Sequence, residues 1–198
     1  MVLRQLPHLL TLIRLIASPF LAWLLLQSRF REALAAVLVA GLTDWFDGFA
    51  ARRLHVSGRL GVILDPVADK TLLTTLFLTL GYIGLLPAWL ICLIIGRDAI
   101  IVAGSLLLRM LRGIHKFLPS KLGKVSTFFQ ILLVLLVLIH ASFRYEVFLW
   151  LQNIALVLSA VFTAVSGVDY VRRGLEMSKK TIRGRYFEAE RRSDEKHH

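Results

Sequence analysis

The chain has few cysteines and few charged residues for a protein of its length. It contains one cysteine, Cys92, among 198 residues, which excludes an intramolecular disulfide and a cysteine-based metal site. Charged residues are 19% of the sequence and hydrophobic residues 57%, whereas a soluble domain is about a quarter charged. No repeat and no strand-like alternation rises above the helical pattern. This composition argues against a disordered chain, a coiled coil and an ordinary soluble enzyme.

Long apolar runs are what the sequence has instead. A helix needs about 20 mostly apolar residues to cross a bilayer. The sequence therefore predicts an all-α integral membrane protein with six transmembrane helices, in residues 1–175, followed by a polar, charged cytoplasmic tail in residues 176–198. The predicted spans are Leu9–Leu26, Ala33–Ala51, Leu60–Ile83, Pro87–Leu108, Val125–Ala141 and Val147–Val171.

The excess of positive charge predicts which kind of molecule the protein contacts and how it is oriented in the membrane. There are 24 Lys and Arg against 13 Asp and Glu, a net charge of +11, and with this apolar content the excess indicates anionic lipid rather than nucleic acid. Most basic residues lie before span one, between spans two and three, between spans four and five, and after span six. Because cytoplasmic segments carry the excess of Lys and Arg, we expect both termini to be cytoplasmic, in a multi-pass protein of the inner or cell membrane.

Two pairs of carboxylates lie in spans two and three, where a charge is costly and usually functional. Asp44 and Asp47 are three residues apart, and Asp65 and Asp69 are four apart, so each pair shares a helix face. A short loop joins the two spans, which places both pairs at the same depth near the cytoplasmic side. Four clustered carboxylates repel one another, and their oxygens suit Mg²⁺ or Mn²⁺. We therefore predict a site for two divalent ions, a recurrent arrangement for phosphoryl transfer.

Residues in and beside the loop between these spans are suited to a phosphate. Gly48 and Gly61 leave room for close approach, and Arg52 offers a forked donor for phosphate oxygens. Each of these features alone has an alternative explanation that involves no phosphate. Asp44 and Asp47 could form a buried polar contact, Gly61 could serve helix packing, and Arg52 could anchor the helix at the membrane surface. The joint pattern favours the phosphate site.

The joint pattern resembles the signature of the CDP-alcohol phosphotransferase family. The matching positions, all at the family's spacing, are Asp44, Asp47, Gly48, Ala51, Arg52, Gly61, Asp65 and Asp69. The resemblance implies that family's six-helix fold, a CDP-linked lipid substrate and two divalent ions held by the four aspartates. It also implies that Asp69 is the general base for the acceptor hydroxyl. Four further residues are implied to border the cytidine diphosphate, namely Gly48, Ala51, Arg52 and Gly61.

A second resemblance concerns the acceptor. The segment 121–130 is similar to the stretch before span five in phosphatidylglycerophosphate and cardiolipin synthases, and residues 96–98 resemble their span-four motif. Both enzymes use an acceptor that contains a phosphate, so Arg109, Lys121 and Lys124 are the predicted acceptor-phosphate residues. A positive-inside loop is the alternative for these cations, and structural pairing is the alternative for Arg97 with Asp98. Ser105 stands where many bacterial phosphatidylglycerophosphate synthases have Arg, and Arg109 looks more like mitochondrial-type cardiolipin synthases.

The predicted function is metal-dependent transfer of a phosphatidyl group from CDP-diacylglycerol to glycerol 3-phosphate, with release of CMP. The alternative is a cardiolipin synthase that uses phosphatidylglycerol as acceptor. A cation transporter is a remote alternative, because transporters show internal symmetry or broken helices at the midplane, whereas the four acids here lie at one end of their spans. The resemblance also implies a homodimer in the lipid bilayer, with the active site on the cytoplasmic side.

Overall fold

The computed structural model describes the backbone of residues 6–54, 61–112 and 121–194, and side chains within 16–43, 70–104, 121–174 and at 176. These ranges contain six α-helices and no strand, which confirms the all-α prediction. The helices are α1 (Leu6–Leu26), α2 (Phe30–Leu54), α3 (Gly61–Tyr82), α4 (Ala88–Arg112), α5 (Lys121–Phe143) and α6 (Glu146–Asp194).

Four of the predicted spans lie wholly within one of these helices. The predicted span Leu60–Ile83 contains α3, and the predicted span Pro87–Leu108 begins one residue before α4. Within the described residues, α5 and the Glu146–Gly174 part of α6 are long and apolar enough to cross a membrane, and Ile16–Leu26 of α1 is a shorter apolar stretch. In α1 to α4, side chains are described for only part of each helix. The helical assignment of all six segments is thus confirmed, whereas six membrane crossings stay a prediction.

Three tight links reverse the chain between helices. Ser28 after α1 and Arg144 after α5 both have φ of 57°, and Gly84 between α3 and α4 has φ of 80°. A left-handed residue is a common way to end a helix, because it turns the following N–H groups back to the last carbonyls. The Arg144 N–H accordingly donates to the His140 carbonyl at 2.8 Å, so the chain enters α6 two residues later.

The chain forms two compact units, and the first comprises Met1–Ile91 and Gln130–Val157. In this unit α1 packs against both α2 and α3. The core is apolar, with Leu25, Phe77 and Leu80 at most 1% exposed. A Cβ at Gly81 would clash with the side chain of Ile91, so this glycine permits the close approach of α3 and α4.

The second unit comprises Cys92–Phe129 and Leu158–His198, and its core is unusually polar. The buried residues of this unit include Arg97, Ser126, Ser159, Thr163, Ser166 and Tyr170. Cys92 is exposed. The helix α6 continues through the predicted tail as far as Asp194. The division into a catalytic domain at 1–175 and a tail at 176–198 stays a prediction.

Candidate active site

The predicted metal and nucleotide residues lie on the two helices that flank the segment 55–60. The α2 helix carries Asp44, Asp47, Gly48, Ala51 and Arg52, and the α3 helix carries Gly61, Asp65 and Asp69. The backbone is helical at all eight positions. The i, i+3 and i, i+4 spacings therefore place each aspartate pair on one side of its helix. The eight side chains lie outside the described residues, and so does their mutual arrangement.

Both motif helices belong to the same compact unit and share α1 as a packing neighbour. The chemistry of the donor set fits a hard divalent cation, because carboxylate oxygens are the ligands that Mg²⁺ and Mn²⁺ prefer. Among the residues whose side chains are described, no group of three or more His, Cys, Asp or Glu could hold a metal ion.

The predicted acceptor residues divide between two helices of the second unit. Arg109 lies in α4, with its side chain outside the described residues, whereas Lys121 begins α5 and Lys124 lies in its first turn, both exposed. The first turn of α5 contains no acidic residue. A helix N-terminus carries a partial positive charge and favours anions. Two lysines here are therefore unfavourable for the isolated helix and favourable for a bound anion.

Arg97 of α4 is buried, with 9% of its surface exposed. Its Nη1 donates to Asp98 Oδ1 at 2.6 Å, and its Nη2 donates to Ser166 Oγ at 2.8 Å. Its Cζ lies 5.4 Å from the centroid of the Tyr170 ring. The structure thus confirms the pairing of Arg97 with Asp98, and it adds two partners from α6.

The first turn of α5 comes close to this guanidinium at Gly123. A Cβ on Gly123 would lie 3.0 Å from Arg97 Nη2 and 3.2 Å from Tyr170 Oη. Both distances are tighter than ordinary van der Waals contact, so the absence of a side chain permits this packing. Arg97 and Tyr170 therefore occupy the space beside the turn that carries Lys121 and Lys124.

Further contacts join α5 to α6 along the same face. Ser126 Oγ and Thr163 Oγ1 are 3.0 Å apart and hydrogen-bonded, and both residues are fully buried. The rings of Phe129 and Phe162 stack with centroids 4.9 Å apart. In an apolar environment, small hydroxyl residues let helices approach closely and hydrogen-bond across the interface. The register of α5 against α6 is thus fixed over two turns beyond Gly123.

Sequence reasoning missed the α6 side of this cluster. A signal was present, since polar residues recur along the buried face of an otherwise apolar helix at Ser159, Thr163, Ser166 and Tyr170. Their spacings of four, three and four residues are those of a single helix face. The remaining acid in the predicted span six, Asp169, pairs with Arg173 at 3.0 Å.

The comparisons with known proteins agree with the motif. A family model described as CDP-alcohol phosphatidyltransferase matches residues 4–165. A CDP-diacylglycerol–glycerol-3-phosphate 3-phosphatidyltransferase of Aquifex aeolicus (strain VF5) is 36% identical over 177 residues, which cover 86% of this chain and 96% of that protein. A cardiolipin synthase (CMP-forming) of Rattus norvegicus is 34% identical over 192 residues, which cover 89% of this chain and 62% of that protein. This chain therefore spans nearly all of the Aquifex relative and less than two thirds of the rat relative.

Proposed function

This chain belongs to the CDP-alcohol phosphatidyltransferase family, and we propose on that basis that it transfers a phosphatidyl group from CDP-diacylglycerol to glycerol 3-phosphate. The observation that supports this most strongly is the likeness to the Aquifex relative, which bears the name of that reaction and is matched over 96% of its length. The complete eight-residue motif on α2 and α3 supports the same chemistry.

The donor side of the reaction rests on the motif residues. Enzymes of this family generally depend on divalent metals, and Asp44, Asp47, Asp65 and Asp69 would hold two such ions. When bound, Mg²⁺ or Mn²⁺ supplies counter-charge for the diphosphate of CDP-diacylglycerol. Further residues border that diphosphate, with Arg52 donating to its oxygens and small residues leaving room for it. The small residues are Gly48, Ala51 and Gly61.

The transfer itself is a displacement at the phosphorus that carries diacylglycerol. The acceptor hydroxyl oxygen forms a bond to this phosphorus, and the bond from the phosphorus to the CMP oxygen breaks. Asp69 takes the hydroxyl proton as general base, a role that contributes about 10²- to 10⁴-fold in typical enzymes. CMP leaves with the electron pair of the broken bond, so the products are phosphatidylglycerophosphate and CMP.

The acceptor phosphate is held by the cations of α4 and α5. Lys121 and Lys124 are exposed at the positive end of α5, where an anion gains from both the lysines and the helix terminus. Arg109, three residues before the end of α4, adds a bidentate donor. A phosphate-free alcohol gains none of these contacts and should react poorly.

A second candidate, cardiolipin synthesis, uses the same site with phosphatidylglycerol as acceptor. The 34% identity to the rat cardiolipin synthase supports it, as does Ser105, which stands where many bacterial phosphatidylglycerophosphate synthases have Arg. Phosphatidylglycerol also presents a hydroxyl and a phosphate, so the same residues could hold it. We favour glycerol 3-phosphate because the relative matched over 96% of its length is named for that acceptor.

The setting we propose is a homodimer in the bilayer, with six membrane crossings and with both termini and the active site on the cytoplasmic side. The family consists of membrane-bound enzymes, and the distribution of Lys and Arg in the sequence favours this orientation. CDP-diacylglycerol would then enter from the lipid, and glycerol 3-phosphate from the cytoplasm.

An acceptor panel tests this proposal. Purified protein in mixed micelles receives labelled CDP-diacylglycerol and Mg²⁺ with glycerol 3-phosphate, phosphatidylglycerol, inositol phosphate or serine in turn. We expect glycerol 3-phosphate to give the fastest lipid product. A faster reaction with phosphatidylglycerol would keep the reaction class and identify a cardiolipin synthase, whereas serine as the best acceptor would refute the phosphate site.

A further inference from the structure

One guanidinium joins three helices in the second compact unit. Arg97 comes from α4, its partners Ser166 and Tyr170 come from α6, and the first turn of α5 lies beside it at Gly123. A Cβ on Gly167 would also lie 3.5 Å from Arg97 Cγ, so the aliphatic part of Arg97 packs along α6. The position of the guanidinium is therefore set by Asp98 of its own helix together with residues of α6.

The burial of Arg97 explains why it needs these partners. A charge with 9% of its surface exposed has lost most of its water, and that loss is costly unless other groups replace the water. Asp98 supplies an opposite charge, Ser166 a hydrogen-bond acceptor and Tyr170 the negative face of a ring. Nε remains buried without a hydrogen-bond partner. Removal of a partner from α6 should therefore release the guanidinium from its present position.

The position of Arg97 matters to the α5 turn because this turn carries two lysines at the positive end of the helix, whereas the charge of Arg97 is paired with Asp98. Lys121, Lys124 and the helix terminus repel one another in the absence of an anion. Packing must hold this turn in place, and the packing beside Gly123 includes Arg97 and Tyr170. The hydrogen bond between Ser126 and Thr163 lies beyond the first turn of α5.

We propose that Ser166 and Tyr170 are positioning residues for the acceptor site. They hold the Arg97 guanidinium against the first turn of α5, and this contact keeps Lys121 and Lys124 in the arrangement that binds the acceptor phosphate. The inference rests on the proposed function, since it takes the two lysines as acceptor ligands. On this inference, residues of α6 determine how tightly the acceptor binds, although α6 carries none of the family motif.

The main test compares two variants of Tyr170 in the full-length enzyme. Tyr170→Leu removes the ring face, whereas Tyr170→Phe keeps it and removes only the hydroxyl. Because Tyr170→Leu removes a cation–π contact that lies away from water, we expect it to raise the acceptor KM about tenfold. This corresponds to a loss of about 1.4 kcal/mol in the free energy of acceptor binding. We expect the KM for CDP-diacylglycerol to change less than about twofold, and Tyr170→Phe to stay within about threefold of wild type for both substrates.

A second pair of variants tests Ser166 with a matched control on the same helix. Ser166→Ala removes the acceptor of an Arg97 hydrogen bond, and we expect about a tenfold rise in acceptor KM. Ser159→Ala makes the same chemical change at a fully buried hydroxyl that has no hydrogen-bond partner, so its acceptor KM should equal that of wild type. Equal effects of the two variants would overturn the inference.

Gly123→Ala tests the inference from the α5 side, in case the α6 variants fold poorly. The added methyl group would lie 3.0 Å from Arg97 Nη2, which forces the guanidinium or the turn to move by a few tenths of an ångström. We expect a raised acceptor KM, an unchanged KM for CDP-diacylglycerol, and faster hydrogen exchange of the first amides of α5. A parallel fall of kcat and melting temperature with both KM values unchanged would indicate a merely structural role and overturn the inference.

Lys121→Ala and Lys124→Ala separate this inference from the proposed function. If the lysine variants raise the acceptor KM and the Tyr170, Ser166 and Gly123 variants do not, the positioning role is wrong and the acceptor site stands. If the lysine variants leave the acceptor KM unchanged, both the acceptor site and the positioning role are wrong.

Discussion

At the scale of single residues, two carboxylates of the second unit pair with arginines in different surroundings. Asp98 pairs with Arg97, whose side chain is 9% exposed, and Asp169 pairs with Arg173, whose side chain is 50% exposed. The carboxylates themselves are similarly covered, at 24% and 22% exposed. The burial of the cation therefore decides how much each ion pair contributes to stability.

This contrast gives a stability prediction with a built-in control. Asp98→Ala leaves a buried guanidinium without its counter-charge, and removal of one partner from a buried pair costs about 3–5 kcal/mol. Asp169→Ala leaves a cation that water can reach, and an exposed pair is worth about 0–1 kcal/mol. Thermal unfolding in detergent should therefore show a large loss of stability for Asp98→Ala and a small one for Asp169→Ala. Equal losses would contradict the assigned burial of Arg97.

The motif aspartates give a second prediction at this scale. Asp69→Asn should reduce turnover by about 10²- to 10⁴-fold because an amide cannot take the acceptor proton, while binding of CDP-diacylglycerol is partly kept. Asp44→Asn should weaken metal binding together with turnover, because a neutral amide is a poorer ligand for a hard cation. The measurements are CMP release and Mn²⁺ binding. A near wild-type rate for Asp69→Asn would remove the base assignment.

Sequence reasoning identified these residues to different degrees. The pairing of Asp98 with Arg97 could be predicted from the sequence, because adjacent opposite charges in an apolar helix reduce the cost of burying each other. Ser166 and Tyr170 could not be assigned, because hydroxyl groups are common in apolar helices and their reach to Arg97 depends on how α4 packs against α6. The catalytic aspartates remain a prediction from spacing and resemblance, with side chains outside the described residues.

At the scale of elements, the residues that begin α5 are unfavourable for helix stability and favourable for binding of the acceptor phosphate. Lys121 and Lys124 lie at the positive end of the helix, where cations are unfavourable by a few tenths of a kcal/mol each. The double variant Lys121→Ala with Lys124→Ala should therefore melt at the same or a slightly higher temperature than wild type. Its acceptor KM should rise at least tenfold, since two charge-assisted contacts are lost. A lower melting temperature with an unchanged KM would show that these lysines serve the fold.

Several helices extend beyond their predicted spans, whereas α3 (Gly61–Tyr82) lies inside its predicted span Leu60–Ile83. The α4 helix continues to Arg112, α5 starts at Lys121, and α6 continues to Asp194, each beyond the apolar run. Hydropathy predicts where lipid contact ends, whereas Lys, Arg and Glu are good helix formers that allow the helix to continue into the aqueous phase. The number and order of helices could thus be predicted from apolar runs, and their exact ends could not.

At the scale of the whole molecule, the proposed topology is tested by cysteine labelling. Cys92 is exposed, so it is first replaced by Ala, and single cysteines are then introduced as Ser28→Cys or Ser57→Cys. The six-span arrangement predicts that a membrane-impermeant maleimide labels position 28 in intact spheroplasts and position 57 only in inverted vesicles. Labelling of position 57 from outside would contradict a cytoplasmic active site.

The most direct test of the central claim is the stoichiometry of the reaction in the purified protein. CMP release from CDP-diacylglycerol is measured with and without glycerol 3-phosphate, together with incorporation of labelled glycerol 3-phosphate into lipid. Phosphatidyl transfer predicts one CMP per lipid product, little CMP without acceptor, loss of both signals in EDTA and their return with Mg²⁺ or Mn²⁺. Equal CMP release with and without acceptor, or full turnover in EDTA, would contradict it.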